Sequence, residues 1–335
     1  MKVAIVGATG LVGHKIAEIL QERSFPVTEL IPVASKNSAG QIIKWKEREF
    51  PVVTLEKALE MNPEIAFFSA GAKVSSEWAP KFAHIGCRVI DNSSYWRTTP
   101  SVKLIVPEVN GHTLKESDMI IANPNCSTIQ MVVALNLLHK ELRLKKIIVS
   151  TYQSVTGSGQ KGVAQLNQER EAEIQGNFNS ELQQKAYNWP IDLNVIPQID
   201  TFLENGYTKE EMKMVNETHK IFSDNSIAVT ATTVRVPVKG GHSESINVQF
   251  HKNFTIEEII SILHRTPGTT IINNKQDPPY PMPLYAFERD HVFIGRVRED
   301  LFCSNSVNMW VVADNLRKGA ATNAIQIAEQ FLKNL

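Results

Sequence analysis

The sequence predicts an α/β chain in two parts: a doubly wound parallel sheet, then a smaller-period α+β region with a mixed or antiparallel sheet. Three observations carry this. The chain has 335 residues, long for a single hydrophobic core. Up to Ala122, short apolar strands alternate with helix-period segments, and the polar or glycine turns fall at strand C-termini. Beyond a helix at 129–140, the strands lengthen, enrich in Val, Ile and Thr, and alternate as half-exposed antiparallel strands do.

The elements follow in order. Lys2 to Val6 is a compact apolar strand, Gly7 to Gly13 a glycine turn, and His14 to Arg23 a helix with apolar positions at 16, 17, 19 and 20. Val27 to Ala34 reads as a second strand. Leu55 to Met61 is helical, Glu64 to Ser69 a strand, and about 74–84 a helix. Arg88 to Ile90 and Met119 to Ala122 are strands. In the second part, Ile147–Gln153, Ile227–Val236, Ser245–Phe250 and Ser306–Val312 are strands. Helical stretches lie near 160–174, 208–222 and 255–264, and Asp277 to Pro283, with four prolines, is a loop. Asn315 to Leu335 has helical periodicity and is expected to return to the first domain. The expected domains are 1–127, completed by 315–335, and 128–314.

Composition narrows the classes. Hydrophobic residues make up 42% and charged residues 21%, as in an ordinary globular protein. Lys plus Arg and Asp plus Glu are 35 each, so no global field argues for nucleic acid or an anionic membrane. Three cysteines without disulfide or zinc spacing suit a reducing compartment and no metal. The first apolar stretch is too short for a secretory signal, and no run nears the ~18 residues of a membrane span, so a cytoplasmic location is expected.

A glycine turn between a first strand and a first helix makes a phosphate cradle. The backbone can approach a pyrophosphate there, and the helix end offers free N–H groups. The spacing is G-x-x-G-x-x-G, and its full βαβ setting favours a dinucleotide over a mere tight turn. The second strand ends in Ser35-Lys36-Asn37-Ser38 with no carboxylate for a ribose 2′-OH. Two hydroxyls and a lysine suit a 2′-phosphate instead, which points to NADP.

Asn123-Pro124-Asn125-Cys126-Ser127-Thr128 places a thiol where a parallel strand ends and a helix begins. Ligands bind at such strand ends, and a helix N-terminus favours a thiolate. Asn125 beside it offers an amide donor. Cys87 and Cys303 fit the blander reading of small buried hydrophobes.

These pieces together resemble the bacterial-type aspartate-semialdehyde dehydrogenase family. The resemblance is carried by GATGLVG at 7–13, SAG at 69–71, DNSSYWR at 91–97, VPEVN at 106–110, NPNCST at 123–128, YQSVTGSG at 152–159, NVIPQID at 194–200, EEMKM at 210–214 and RVPVKGGHSES at 235–245. It covers nearly the whole chain. The Ser-Cys-Thr-Thr-Asn box of glyceraldehyde-phosphate dehydrogenases and the Gly-Cys-Tyr-Pro-Thr box of N-acetylglutamyl-phosphate reductases are absent. Asn37 stands where many members carry arginine.

The resemblance implies a Rossmann-like NADP-binding domain, an α+β catalytic and dimerisation domain, and a homodimer. It implies NADPH-dependent reduction of L-aspartyl 4-phosphate to L-aspartate 4-semialdehyde and phosphate. Cys126 would be the nucleophile, His242 the acid or base, expected in a strand-end loop after Gly240-Gly241, and Gln153 an orienting amide. Arg235 would hold the substrate carboxylate, Glu210 the amino group, and Lys213 and Arg97 the phosphate, with Asn125 also at the substrate. Cofactor contacts would come from Gly7, Thr9, Gly10, Leu11, Val12, Gly13, Ser35, Ser38, Ser69, Ala70, Gly71, Ser154, Gly157 and Asn315. From the residues alone, Glu210 and Lys213 read as an ordinary i, i+3 surface pair. Two alternatives stay open: another dehydrogenase with the same cysteine logic, and a non-catalytic NADP-sensing protein.

Overall fold

The computed structural model describes residues 1–176 and 185–332. The chain divides into two compact units, one formed by Met1–Asn125 with Gly319–Leu335 and one by Cys126–Lys318. Cys126 therefore opens the second unit, two residues earlier than the sequence boundary.

In the first unit, β1 (Lys2–Val6), α1 (Leu11–Glu22) and β2 (Glu29–Val33) form the opening βαβ. A hairpin of β3 (Ile42–Trp45) and β4 (Arg48–Pro51) follows, then α2 (Leu55–Glu60), β5 (Ile65–Phe68), α3 (Ala72–His84) and β6 (Arg88–Asp91). The remaining pieces are β7 (Lys103–Leu104), α4 (Pro107–Asn110) and β8 (Ile120–Ala122). Six strands pair in the order β2-β1-β5-β6-β8-β7, all parallel. The order reverses between β1 and β5, so the crevice at a switch point opens beyond Val6 and Phe68, which pair in register.

The hairpin escaped the sequence reading because its turn carries no glycine or asparagine. Lys46 and Glu47 supply the two positive φ angles, 46° and 60°, that such a tight turn needs. Trp45 anchors it by donating Nε1–H to Ala17 O at 2.6 Å.

The closing segment is helical over less of its length than its periodicity suggests. Asp314 Oδ1 accepts from the N–H groups of Leu316 and Arg317, Arg317–Ala321 form a wide turn, and the regular helix α10 runs Thr322–Leu332. Positions 333–335 of the expected helix lie outside the described residues. Ala324, Ile325, Ile327, Ala328 and Phe331 of α10 join the core made by β1, α1 and β5. Arg23 clamps Glu329 with two bonds of 2.7 Å.

The second unit contains α5 (Cys126–Leu142), β9 (Leu144–Gln153), α6 (Gly159–Ile174), α7 (Lys209–Phe222), β10 (Ala228–Arg235) and β11 (His242–Phe250). It continues through α8 (Ile256–Arg265), β12 (Thr269–Ile272), α9 (Pro283–Ala286), β13 (Val292–Glu299) and β14 (Ser306–Ala313). The sheet order is β10-β9-β11-β14-β13-β12. It is mixed: β9 with β10 and β12 with β13 are parallel, and the other pairs are antiparallel. β12 and β13 are absent from the sequence expectation, because β12 is only four residues long and β13 is broken by a register shift between Gly295 and Arg298. α5 is apolar nearly all round and buried, packed on the sheet and on α7 and α8. No helix among the described residues is long and apolar enough to cross a membrane.

Candidate active site

Helix α5 starts at Cys126 itself, so the thiol sits on the first turn, where backbone N–H groups are not used within the helix. Burial pushes the Cys87 thiol far above its ordinary value, which makes it inert. Cys303 is exposed rather than buried: it lies in the β13–β14 connection and accepts from Ser306 Oγ at 3.2 Å and Gln249 Nε2 at 3.4 Å. The apolar strand beside it in sequence turns its core face elsewhere.

His242 is not in a loop. Gly241, at φ +81°, turns the chain so sharply that the strand resumes at once, and His242 is the first residue of β11, opposite Ala313. It is fully buried. Ser154 N–H donates to Nδ1 at 3.1 Å, and Ser154 Oγ lies 3.2 Å from the same nitrogen. A nitrogen that accepts from a backbone N–H carries no proton, so the neutral ring holds its proton on Nε2. Nε2 has no partner among the described residues. Burial, and then the Arg235 charge, hold the imidazole well below its ordinary value, so the neutral form prevails at neutral pH.

Arg235, the last residue of β10, is buried and donates Nη1–H to Ser154 O at 2.6 Å. Its Nε has no partner among the described residues, leaving donor capacity for an anion. Gln153 ends β9 opposite Arg235. Its Nε2 donates to Thr151 Oγ1 and Glu210 Oε1, both at 3.3 Å. Glu210 is buried and not a surface partner; its Oε2 accepts from Lys213 Nζ at 3.1 Å. Lys213 also donates to Asp200 Oδ2 at 3.0 Å. Burial works against the Lys213 charge, but Glu210 and Asp200 outweigh it and hold the ammonium above its ordinary value. α7 presents this pair reliably because Thr208 and Glu211 close a capping box at its start. The sequence reading missed Asp200, although it is the last residue of the NVIPQID stretch.

Three residues expected at the cofactor also organise this cluster. Ser154 Oγ donates to Asn315 Oδ1 at 2.9 Å, which also accepts from Thr156 Oγ1 at 3.1 Å. Asn315 thereby fixes the loop that fixes His242. A Cβ on Gly157 would come 2.7 Å from Arg235 Nη1 and 3.4 Å from the His242 ring, so the backbone there lies against both.

The first unit carries the rest. Gly7, at φ +91°, approaches Ser69 so closely that a Cβ would sit 2.5 Å from Ser69 O. At Gly13 a Cβ would collide with Gly7 O, which is the close helix-to-strand packing that such a turn needs. Gly10, by contrast, would meet nothing nearer than Gly7 O at 3.4 Å. Protein packing does not require glycine there, and the backbone stays open on that side. Gly10 is the N-cap of α1 and gives no side-chain cap, so Leu11 and Val12 carry first-turn N–H groups that the helix itself does not use, with Thr9 just before the cap. Ser69, Ala70 and Gly71 continue from β5 across the switch point, and Ser35 and Ser38 bracket a short turn after β2. Arg97 is buried and donates Nη2–H to Asn92 O at 2.8 Å; Asn125 is buried at the unit's end.

A glycine-turn cradle in one unit and a helix-terminal thiol, a buried imidazole and a buried arginine in the other are the features of an NAD(P)-linked oxidoreductase of the semialdehyde dehydrogenase class. Residues 2–117 match the family model described as semialdehyde dehydrogenase, NAD binding domain, and 135–318 match its dimerisation domain. The chain belongs to the aspartate-semialdehyde dehydrogenase family. It is 49% identical to the aspartate-semialdehyde dehydrogenase of Aquifex aeolicus, over 99% of this chain and 98% of that one. The enzyme of Helicobacter pylori strain J99 is 44% identical over the same shares. The crystal structure of aspartate semialdehyde dehydrogenase II from Vibrio cholerae superposes with a TM-score of 0.95 at 44% identity, covering 99% and 98% of the two chains.

Proposed function

We propose that this enzyme reduces L-aspartyl 4-phosphate to L-aspartate 4-semialdehyde and phosphate, reversibly, through a thioester on Cys126. The observation that carries this is the second unit's arrangement: a helix-terminal thiol on one element, and Arg235, Gln153 and an Nε2–H imidazole fixed side by side on one sheet. Support for the substrate comes from the Vibrio cholerae relative, whose structure is described as complexed with ASA. Products of this chemistry supply lysine and diaminopimelate, threonine, methionine and isoleucine synthesis, in the cytoplasm.

The cofactor read from the sequence is NADP. The open Gly10, the uncapped α1 terminus and the Ser35–Ser38 turn with Lys36 fit its pyrophosphate and 2′-phosphate. When bound, the reduced cofactor supplies hydride to the thioester carbon. The chain's own residues do the rest. Cys126 attacks the acyl carbon, and the acyl–oxygen bond to phosphate breaks as the carbon–sulfur bond forms. Arg235 grips the α-carboxylate as a fork, and Glu210 accepts from the ammonium. Lys213, Arg97 and Asn125 are assigned to the phosphate and acyl end. Gln153, held by Thr151 and Glu210, orients the acyl group. His242 offers Nε2–H to the oxygen on which negative charge builds, and being neutral it acts as a hydrogen-bond donor without surrendering its proton. The tetrahedral oxyanion then collapses, releasing aldehyde and regenerating the thiolate.

A homodimer is proposed through the outer face of the second unit's sheet. Ile148 and Tyr152 project from it at 41% and 38% exposure, and Tyr152 packs on Trp310 at 5.4 Å. The matched family model is named for dimerisation. The assay is NADPH formation from aspartate semialdehyde with and without phosphate. Phosphate-dependent formation is expected; equal rates without phosphate would indicate an aldehyde dehydrogenase that hydrolyses its thioester.

A further inference from the structure

Two residues beyond His242 on β11 lies a carboxyl that the chemistry above does not use. Glu244 is 0% exposed, and neither of its oxygens has a hydrogen-bond partner among the described residues. A carboxyl in that state is costly to keep and is characteristic of functional sites.

Its place in the sheet says what it serves. His242 and Glu244 project from the same face, about 7 Å apart along the strand. Thr233, Thr151, Glu244 and Val311 form one row across β10, β9, β11 and β14. The neighbouring row on that face begins with Arg235 and Gln153, and Gln153 Nε2 ties the rows together through Thr151 Oγ1. Glu244 thus stands directly behind the row that holds the site. Helix α5 covers this sheet, and its Gln130 is 1% exposed with Nε2 unpartnered among the described residues. Gln130 is the side chain that acts on the Glu244 carboxyl, although the two stop short of direct hydrogen-bond geometry. It lies four residues, about one turn, beyond Cys126, so it shares that residue's helix face.

We propose that Glu244 is a positioning residue for the thioester reaction. As a carboxylic acid it pairs with the Gln130 amide, O–H to Oε1 and N–H back to the carboxyl oxygen. That pair registers the first turn of α5, and with it Cys126, against the row of Arg235, Gln153 and His242. The proposal rests on the covalent reading given above. Burial holds the acid in its neutral form, which keeps a negative charge away from the thiolate. Among the described residues, the charged or titratable groups on the elements around it include His242 on its own strand, Arg235 on β10, Cys126 on α5, and Glu210, Glu211 and Lys213 on α7; Glu211 Oε1 accepts from the N–H of Thr233 in the same row.

The test uses Glu244→Leu and Glu244→Gln in the full chain, read by kcat, KM, thermal melting and the pH dependence of Cys126 alkylation by iodoacetamide. Leucine removes a buried unpartnered polar group, so melting temperature is expected to hold or rise while kcat falls at least ~10-fold and KM stays within about threefold. Glutamine can pair with Gln130 as a neutral acid does, so it is expected to restore kcat to within about threefold, with an unshifted alkylation profile. A leucine variant with normal kcat would overturn the proposal, as would a glutamine variant as slow as leucine or with a shifted profile. If leucine fails to fold, the glutamine result decides alone. Alkylation needs no substrate, so an inactive wild-type enzyme would defeat the functional reading while the Glu244 comparison still gives its answer.

Discussion

In the proposed reaction His242 acts through Nε2, and the backbone bond to Nδ1 decides what that nitrogen can do. Protonating Nδ1 would set a proton against the Ser154 N–H, on top of the burial that already disfavours charge. The sign follows: a histidine whose folded value is depressed stays neutral as pH falls through the ordinary value near 6.5. The acidic limb of the kcat profile is therefore expected well below pH 6.5, measured over pH 5 to 9. A limb at or above 6.5 would show a ring that titrates normally and works as an acid. Fold stability moves the same way, present above 6.5 and declining below it, because only the unfolded ring takes the proton there. Arg235→Lys is expected to lower kcat/KM by roughly 10²-fold, since a point charge cannot replace the fork while also satisfying Ser154 O. Gly157→Ala should do comparable harm at a distance in sequence, because the new methyl would displace Nη1 of the same arginine; an unchanged KM would remove that explanation. The residue types at 126, 153, 235 and 242 were legible because each sits in a recognisable stretch. What was illegible was depth. Nothing local distinguishes the buried Glu210 from a surface pair partner, or the buried strand position of His242 from a loop, since the partner of Glu210, Gln153, lies 57 residues away and that of His242, Ser154, lies 88 away.

At the scale of elements, two capping boxes separate stability from catalysis. Thr208 caps α7, which presents Glu210 and Lys213; Thr255 caps α8, which presents nothing to the site. Each threonine-to-alanine change is expected to cost about 1 kcal/mol. Thr255→Ala should lower the melting temperature by about 2–4 °C and leave kcat/KM intact, whereas Thr208→Ala should lower both. Equal effects on activity would deny α7 its special part. Element type was readable wherever periodicity ran long, as in α1, α7 and β9–β11. The β3–β4 hairpin was not readable, because its turn uses Lys46 and Glu47 where glycine or asparagine would announce it. The final segment was over-read: Asp314 captures two N–H groups and delays the helix, a contact that helical periodicity cannot show.

For the whole molecule, chain order and unit composition differ: the last residues complete the first unit's core through Ala324, Ile327 and Phe331. The parallel sheet's switch point and the mixed sheet's inner face are each legible from strand texture, and the family to which the chain belongs accounts for both. The outer face of the mixed sheet is assigned to a second copy, so Tyr152→Glu is expected to give monomers in sedimentation velocity; intact dimers would place the interface elsewhere. The whole proposed mechanism turns on one bond, the thioester at Cys126. Mixing enzyme, NADP and aspartate semialdehyde without phosphate, then quenching within milliseconds, tests it directly. A burst of one NADPH per Cys126, with the Cys126 peptide carrying an aspartyl group by mass spectrometry, is the predicted result, absent in Cys126→Ala. A burst with no adduct, or turnover by the alanine variant, would contradict it.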